Sequence, residues 1–206
     1  MDSIRNIFLI RHCRPQLTEN VSICLGRKDI PLSQEGITEA GQLKKYFSNI
    51  SLSGIYSSPL IRARHTAEII ADKKTNVIIR DGFSEFNIGK WDGMSFAEIK
   101  EKYPLEYMER GKNLENYIVE GGESMTACQE RALKELYNTV HETSGDILIV
   151  AHAGVNRAII SKISGIRLKD SFAFDNEYGS VNHLAFNGKK FKVMKIGVSI
   201  SELNKM

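Results

Sequence analysis

Ile7-Phe8-Leu9-Ile10-Arg11-His12-Cys13 and Ile147-Leu148-Ile149-Val150-Ala151-His152-Ala153-Gly154 decide how this chain folds. Each opens on an apolar run that is too short for a free helix and apolar throughout. Such runs read as strands buried on both faces, which is what a parallel sheet needs. Ligands of open α/β sheets bind beyond the carboxyl ends of the strands. Two strands that each end in a histidine therefore bring two imidazoles, with Arg11, to one crevice. A lone strand-end histidine reads as a hydrogen-bonded structural residue. Two in matching positions, one beside an arginine, read as a site.

The rest of the chain alternates helix and strand signals around those two runs. Ser33 reads as an N-cap for a helix with Ile37, Ala40, Leu43 and Phe47 on one face. Gly54-Ile55-Tyr56-Ser57 reads as a short strand. Ser58-Pro59 after it reads as N-cap and first helical position, opening a helix from Leu60 to about Asp72. Val77-Ile78-Ile79 is another strand. Ser95-Phe96-Ala97-Glu98 fits a capping box. After Gly121-Gly122-Glu123-Ser124, an apolar stripe of Met125, Cys128/Gln129, Ala132, Leu136 and Val140 marks a long helix. Gly154 to Ser164 is a helix stopped by Gly165. Asn187-Gly188 between two strand-like runs is a type I′ hairpin signal. The expected fold is α/β: three layers, α/β/α, with a mostly parallel central sheet and an antiparallel edge strand. Residues from about 86 to 122 break the alternation and are expected as a small insertion over the active-site mouth. The whole of 1–206 reads as one domain.

Composition narrows the function. The chain has 206 residues, 42% hydrophobic and 26% charged, with a formal net charge of +3. That charge makes no large basic field, so nucleic acid is not an expected partner. No apolar run approaches the ~18 residues of a membrane span. Met1-Asp2-Ser3-Ile4-Arg5 runs straight into the first strand, so no signal peptide is expected. Cys13, Cys24 and Cys128 are odd in number and lack Cys-x-x-Cys spacing, which points to a reducing, cytoplasmic setting without disulfides or structural zinc. His65, His141 and His183 sit at no ligand spacing and read as structural or surface residues.

The chemistry collects around a few short motifs. Arg62 falls in the first turn of its helix, where free N–H groups and the macrodipole attract anions, and a guanidinium fork matches phosphate oxygens. Leu9-Ile10-Arg11-His12, followed by Gly26-x-x-Asp29-x-Pro31-Leu32-Ser33-x-x-Gly36, resembles the opening of the histidine phosphatase superfamily, the phosphoglycerate mutase-like proteins. Ser57-Ser58-Pro59-Leu60-x-Arg62-Ala63-x-x-Thr66-Ala67 is similar to its second motif and Glu85-x-x-x-Gly89-x-Trp91-x-Gly93 to its third. Gly121-Gly122-Glu123-Ser124 and Val150-Ala151-His152-Ala153-Gly154-Val155-x-Arg157 complete the set in family order. Each motif alone is weak; the ordered set is specific.

The resemblance implies roles residue by residue. His12 would take the phosphoryl group, and Arg11, Arg62 and His152 would hold its oxygens. Glu85 would protonate the leaving oxygen and then take a proton from water. Arg14, Gly26, Phe86 and Ala153 complete the expected substrate contacts. A neutral imidazole is a competent nucleophile near pH 7. Charge spread over three equatorial oxygens calls for fixed cationic donors. No metal and no cofactor are expected. The partner is a small phosphomonoester, and a homodimer is left open. Cys13 stands where the family usually has Gly and reads as an inert small residue filling that position; the other reading is a thiol whose pKa is lowered beside Arg11 and Arg14.

Hydrolysis is favoured over mutase chemistry. Glycolytic mutases of the family resemble Asn-Glu-Arg-x-Tyr-Gly at the third motif, where this chain has Ser84-Glu85-Phe86-Asn87-Ile88-Gly89. They have His-Gly-Asn where this chain has His152-Ala153-Gly154. Their substrate-binding Arg-Arg pair has no counterpart between Trp91 and Gly121, where Arg110 stands alone. Phe86, Ile88 and Trp91 are expected to make the mouth apolar, suited to a leaving group larger or less charged than glycerate. α-Ribazole phosphate is one such substrate. The third reading is a non-catalytic module that binds a phosphorylated ligand. Inert relatives typically lose the histidine or the acid, and this chain keeps His12, Glu85 and His152.

Overall fold

The computed structural model describes residues 4–17 and 23–205. Met1, Asp2 and Ser3, ahead of the first strand, lie outside the described residues. The elements run β1 (Arg5–Arg11), α1 (Gln34–Phe47), β2 (Gly54–Ser57), α2 (Ile61–Ala71), β3 (Val77–Ile79), α3 (Phe96–Lys102), α4 (Pro104–Lys112), α5 (Met125–His141), β4 (Ile147–Ala151), α6 (Ala153–Ser164), β5 (Val181–Phe186), β6 (Phe191–Val198) and α7 (Ile200–Leu203). The six strands form one sheet in the order β3-β2-β4-β1-β5-β6. β3, β2, β4 and β1 pair in parallel, and β5 with β6 closes one side as an antiparallel hairpin.

Alternation along β1 divides the core. Phe8 and Ile10 face α1 and α2, packing with Ala40, Leu43, Phe47, Ala63, Ala67 and Ile70. Ile7 and Leu9 face α5 and α6, packing with Cys128, Ala132, Leu136, Val155 and Ile159. Both faces of β1 and β4 are covered, so their apolar runs need no polar alternation. Between β3 and α5 the chain leaves the sheet for two 3-10 turns, α3 and α4. That excursion has its own small core of Trp91, Ile99 and Val119.

Several local expectations hold. Ser33 caps α1 by accepting from Gly36 N, and Ser124 caps α5 by accepting from Ala127 N. Ser95 and Glu98 form the capping box of α3. Gly165, at φ 69°, ends α6.

Three are corrected. Ile37 is 36% exposed, and Gly36 takes its place on the buried face of α1. α2 starts at Ile61, later than expected, with Leu60 as N-cap and no side-chain cap from it, and Ser58 Oγ accepts from Leu60 N just ahead of the helix at 3.2 Å. The first free N–H, of Ile61, is instead met by Asp29 Oδ1 at 2.7 Å from a distant loop. The hairpin turn is also shifted by one residue. Gly188 has φ 84° while Asn187 and Lys189 have no positive φ, so a type I′ turn at Asn187-Gly188 is excluded. Asn187 instead pairs with Lys190 across the turn and accepts from Lys189 N and Lys190 N through Oδ1.

Candidate active site

Strand register sets the site. Val150 pairs with Ile10 on one side and with Ser57 on the other. The residues that follow each strand end therefore emerge at one level: His12 after β1, Ser58 after β2 and His152 after β4. The backbone continues the ladder, with His12 N donating to Ala151 O and Ser58 N to Val150 O. The His12 and His152 rings lie 5.0 Å apart, edge to face.

His12 is 3% exposed. Its Nδ1 lies 2.8 Å from Cys13 O, and a carbonyl only accepts, so Nδ1 carries the proton. Nε2 is then unprotonated, and it accepts from Arg62 Nε at 3.1 Å. Burial, with Arg62 and Arg11 behind it, holds the His12 pKa well below 6.5. The ring is therefore a neutral base with its lone pair turned to an arginine.

Arg62 is fully buried and is fixed by backbone. Nη1 donates to Lys28 O at 2.9 Å and Nη2 to Gly26 O at 2.7 Å. That loop is pinned by Asp92, which accepts from Gly26 N and Lys28 N. The spacing Gly26-x-x-Asp29 thus has a physical content. The first residue holds the arginine, and the last caps the helix that carries it.

His152 is fully buried. Its Nε2 lies 2.7 Å from Ser58 Oγ, and its Nδ1 has no partner among the described residues. Burial, then Arg62, then His12 and Arg11, hold its pKa well below 6.5. Arg11 donates to Asn176 O at 2.6 Å and lies over Tyr178, its Cζ 3.8 Å from the ring centroid. Its Nε is also buried without a partner among the described residues. Burial lowers the guanidinium pKa of Arg11 and of Arg62, and in both the charge of Glu85 opposes the shift.

Glu85 faces this group from the start of the excursion. Oε2 accepts from Gly154 N at 3.2 Å, and Oε1 from Phe86 N at 2.8 Å and Val155 N at 3.3 Å. Its carboxylate therefore sits on the N-terminal end of α6. A Cβ at Gly154 would stand 2.6 Å from Oε1, so glycine lets the carboxylate come this close. The Glu85 carbonyl is clamped as well, accepting from Arg27 Nε and Arg131 Nη2, each at 3.1 Å. Glu123 joins the two arginines, at 3.2 Å from Arg27 and 2.7 Å from Arg131.

Arg11, Glu85, Phe86 and Ala153 line one cavity of about 460 Å³. Of the residues expected in the site, Arg11 and Glu85 line it, while His12, Arg62 and His152 come together in the buried group beside it and do not line it. Gly26 does not line it and acts through Arg62. Arg14 does not line it either. It turns to the start of α1, 3.0 Å from Glu35 and 3.7 Å from Glu39, with its guanidinium 5.3 Å from the Tyr178 ring centroid. Trp91 is buried in its own cluster and is not a wall of the mouth. Cys13 is buried in the core beside α1 and α2, and burial pushes its thiol pKa far up, which fits the inert reading and runs against the activated thiol. Its backbone is held by Thr66 Oγ1. The sequence reading missed Tyr178, Asn176 and Ser58 as site residues. Asn176 and Tyr178 precede an ordinary strand and belong to no recognisable motif. Among the described residues, no group of three or more His, Cys, Asp or Glu side chains could hold a metal ion. No helix is long and apolar enough to cross a membrane, among the described residues.

The model of the histidine phosphatase superfamily (branch 1) matches residues 7–199. Phosphoserine phosphatase 1 of Hydrogenobacter thermophilus is 32% identical over 183 residues, covering 86% of this chain and 86% of that protein. Adenosylcobalamin/alpha-ribazole phosphatase of Escherichia coli is 25% identical, covering 92% of this chain and 94% of that protein. Among solved structures, Bacillus stearothermophilus YhfR superposes with a TM-score of 0.85 at 26% identity, covering 97% of this chain and 99% of that one. With two strand-end histidines, a fully buried and a part-buried arginine and a carboxylate gathered at the ends of β1 and β4, and a family match along nearly its whole length, this chain belongs to the histidine phosphatase superfamily and is a phosphatase of that family.

Proposed function

We propose that this phosphatase hydrolyses a small phosphomonoester through a covalent phosphohistidine at His12, without a metal ion. The observation that carries the reading is the His12 tautomer. Nδ1–H is spent on Cys13 O, and Nε2 keeps its lone pair within a cationic, water-poor pocket. The buried, unpartnered Arg11 Nε and His152 Nδ1 support it, because buried polar atoms ordinarily have partners and phosphoryl oxygens would supply them.

The chemistry follows from these positions. Nε2 attacks phosphorus and forms the P–N bond as the ester P–O bond breaks. Arg11, Arg62 and His152 hold the equatorial oxygens as charge spreads over them. Glu85 gives its proton to the leaving oxygen, and the alcohol departs. The Glu85 carboxylate then takes a proton from water, whose oxygen attacks phosphorus. The P–N bond breaks to release phosphate and neutral His12. Phe86 and Ile88, standing where mutases carry Arg and Tyr, favour hydrolysis, since they offer no anion contact to retain a doubly phosphorylated intermediate. Two leaving groups are brought by named relatives, the α-ribazole nucleoside and serine.

The test is rapid mixing with a ³²P-labelled phosphomonoester and quenching without acid. Wild type should trap label that is acid-labile and alkali-stable, and His12→Ala should trap none. Label persisting in His12→Ala, or activity that EDTA abolishes and Mg²⁺ restores, overturns the reading.

A further inference from the structure

Tyr178 lines the active-site cavity but takes no step in the proposed chemistry. Its half-buried ring belongs to none of the apolar clusters of the core. It packs on the polar groups of the site instead. Arg11 Cζ lies 3.8 Å from its centroid and Arg14 Cζ 5.3 Å, and the His12 ring stands 5.5 Å away, tilted by 43°. The backbone on either side fixes where the ring begins. Gly179 N donates to Arg11 O at 3.1 Å and to His12 O at 3.3 Å, and Arg11 N donates to Ser180 O at 3.1 Å. Gly179 has φ 70°, and a Cβ there would stand 2.6 Å from Ile200 Cδ1, so the turn that delivers Tyr178 needs glycine.

Arg11 depends on such a support more than Arg62 does. Backbone carbonyls grip both terminal nitrogens of Arg62. Arg11 has a single carbonyl among the described residues, Asn176 O at 2.6 Å, and its Nε is buried with no partner there. The face of its guanidinium is set by the Tyr178 ring. A guanidinium over an aromatic face is held by the ring quadrupole, and more strongly where water is excluded. The ring also stands between Arg11 and competing carboxylates. Arg11 and Tyr178 line both the active-site cavity and a second cavity of about 630 Å³, which Glu39 and Glu177 line as well. The pair is thus the shared wall of the two cavities. Without the ring, the Arg11 guanidinium is free to turn toward Glu39 and Glu177.

We propose that Tyr178 is a positioning residue of this phosphatase, whose ring holds the Arg11 guanidinium toward the phosphoryl oxygens and away from the carboxylates of the second cavity. The proposal rests on the reading above that Arg11 holds those oxygens. The face of the ring carries the role, so phenylalanine can perform it and an aliphatic side chain cannot.

The experiment is a double-mutant cycle read as kcat/KM on p-nitrophenyl phosphate and as inhibition by orthovanadate, well below the Tm of each protein. Tyr178→Leu should lower kcat/KM about tenfold, the worth of a desolvated cation–π contact, and should weaken vanadate inhibition by a similar factor. Tyr178→Phe, which keeps the ring, should recover most of what Tyr178→Leu loses. In an Arg11→Gln background, Tyr178→Leu should cost less than about twofold, because the group it positions is gone. Wild-type kcat/KM in Tyr178→Leu, an equal loss in Tyr178→Phe, or the same tenfold loss with and without Arg11 overturns the proposal. The cycle requires no covalent intermediate. Label persisting in His12→Ala therefore strikes the phosphohistidine reading alone, and additive losses at Arg11 and Tyr178 strike the positioning role alone.

Discussion

Replacing Gly154 by alanine should slow catalysis without unfolding the protein. Gly154 is the second residue of α6 and has no positive φ, so alanine fits the backbone. In a helix alanine is favoured over glycine by up to about 1 kcal/mol, so stability should hold or rise. The new methyl would stand 2.6 Å from Glu85 Oε1 and 3.3 Å from Phe86 Cβ. The Phe86 contact is tight but tolerable, and the carboxylate contact is not, since ordinary contact begins at 3.4 Å. Glu85 must therefore back away by about 1 Å and loosen its bonds to Gly154 N and Val155 N. A displacement of about 1 Å in a positioned catalytic group costs up to about 10²-fold. The loss should depend on the leaving group. Steady-state kcat should fall about 10²-fold on alkyl phosphates, which need a proton from Glu85. It should fall much less on p-nitrophenyl phosphate, whose nitrophenolate leaves unprotonated. Urea denaturation should give a midpoint equal to or above wild type. Wild-type kcat on alkyl phosphates, or equal losses on both esters in a stable protein, would refute the reasoning that Gly154 makes room for a working acid.

Protein stability should fall as pH drops through 6.5, because His12 and His152 are held well below that value when folded and take protons near it when unfolded. The unfolded state then binds more protons than the folded one. Tm measured from about pH 7.5 to about pH 5.5 should decline, and His12→Asn should shrink the decline; a flat or rising Tm in wild type contradicts the neutral, buried assignment. Cys13, buried and with its thiol pKa raised, should resist iodoacetamide at neutral pH in the native protein, and peroxide should inhibit wild type and Cys13→Ser alike. Peptide mapping that finds Cys13 alkylated as fast as an unfolded control would show that the thiol is open.

What could be read in the sequence by itself is local or periodic. The apolar runs of β1 and β4 have no alternation because both faces are covered, and their terminal histidines mark the crevice. Ser33, Ser95 and Ser124 cap helices through contacts within three residues, so their effect is written in adjacent letters. The candidate site residues were legible because Arg11, His12, Arg62, Glu85 and His152 lie in short motifs at strand ends and helix starts. The tertiary structure decided everything that depends on partners far along the chain. Tyr178 and Asn176 reach Arg11 only because β5 returns beside β1. Asp29 caps α2 across a gap of 32 positions, and Ser58, whose Oγ accepts from Leu60 N ahead of the helix, also meets His152. Arg14 looked like a mouth cation from its place two residues after His12, yet Glu35 and Glu39 on α1 claim it. The arginines near Cys13 in sequence left an activated thiol open, but desolvation outweighs them once the sheet closes over it. Charge pairing and burial are sums over spatial neighbours, and a single chain of letters gives only the sequential ones.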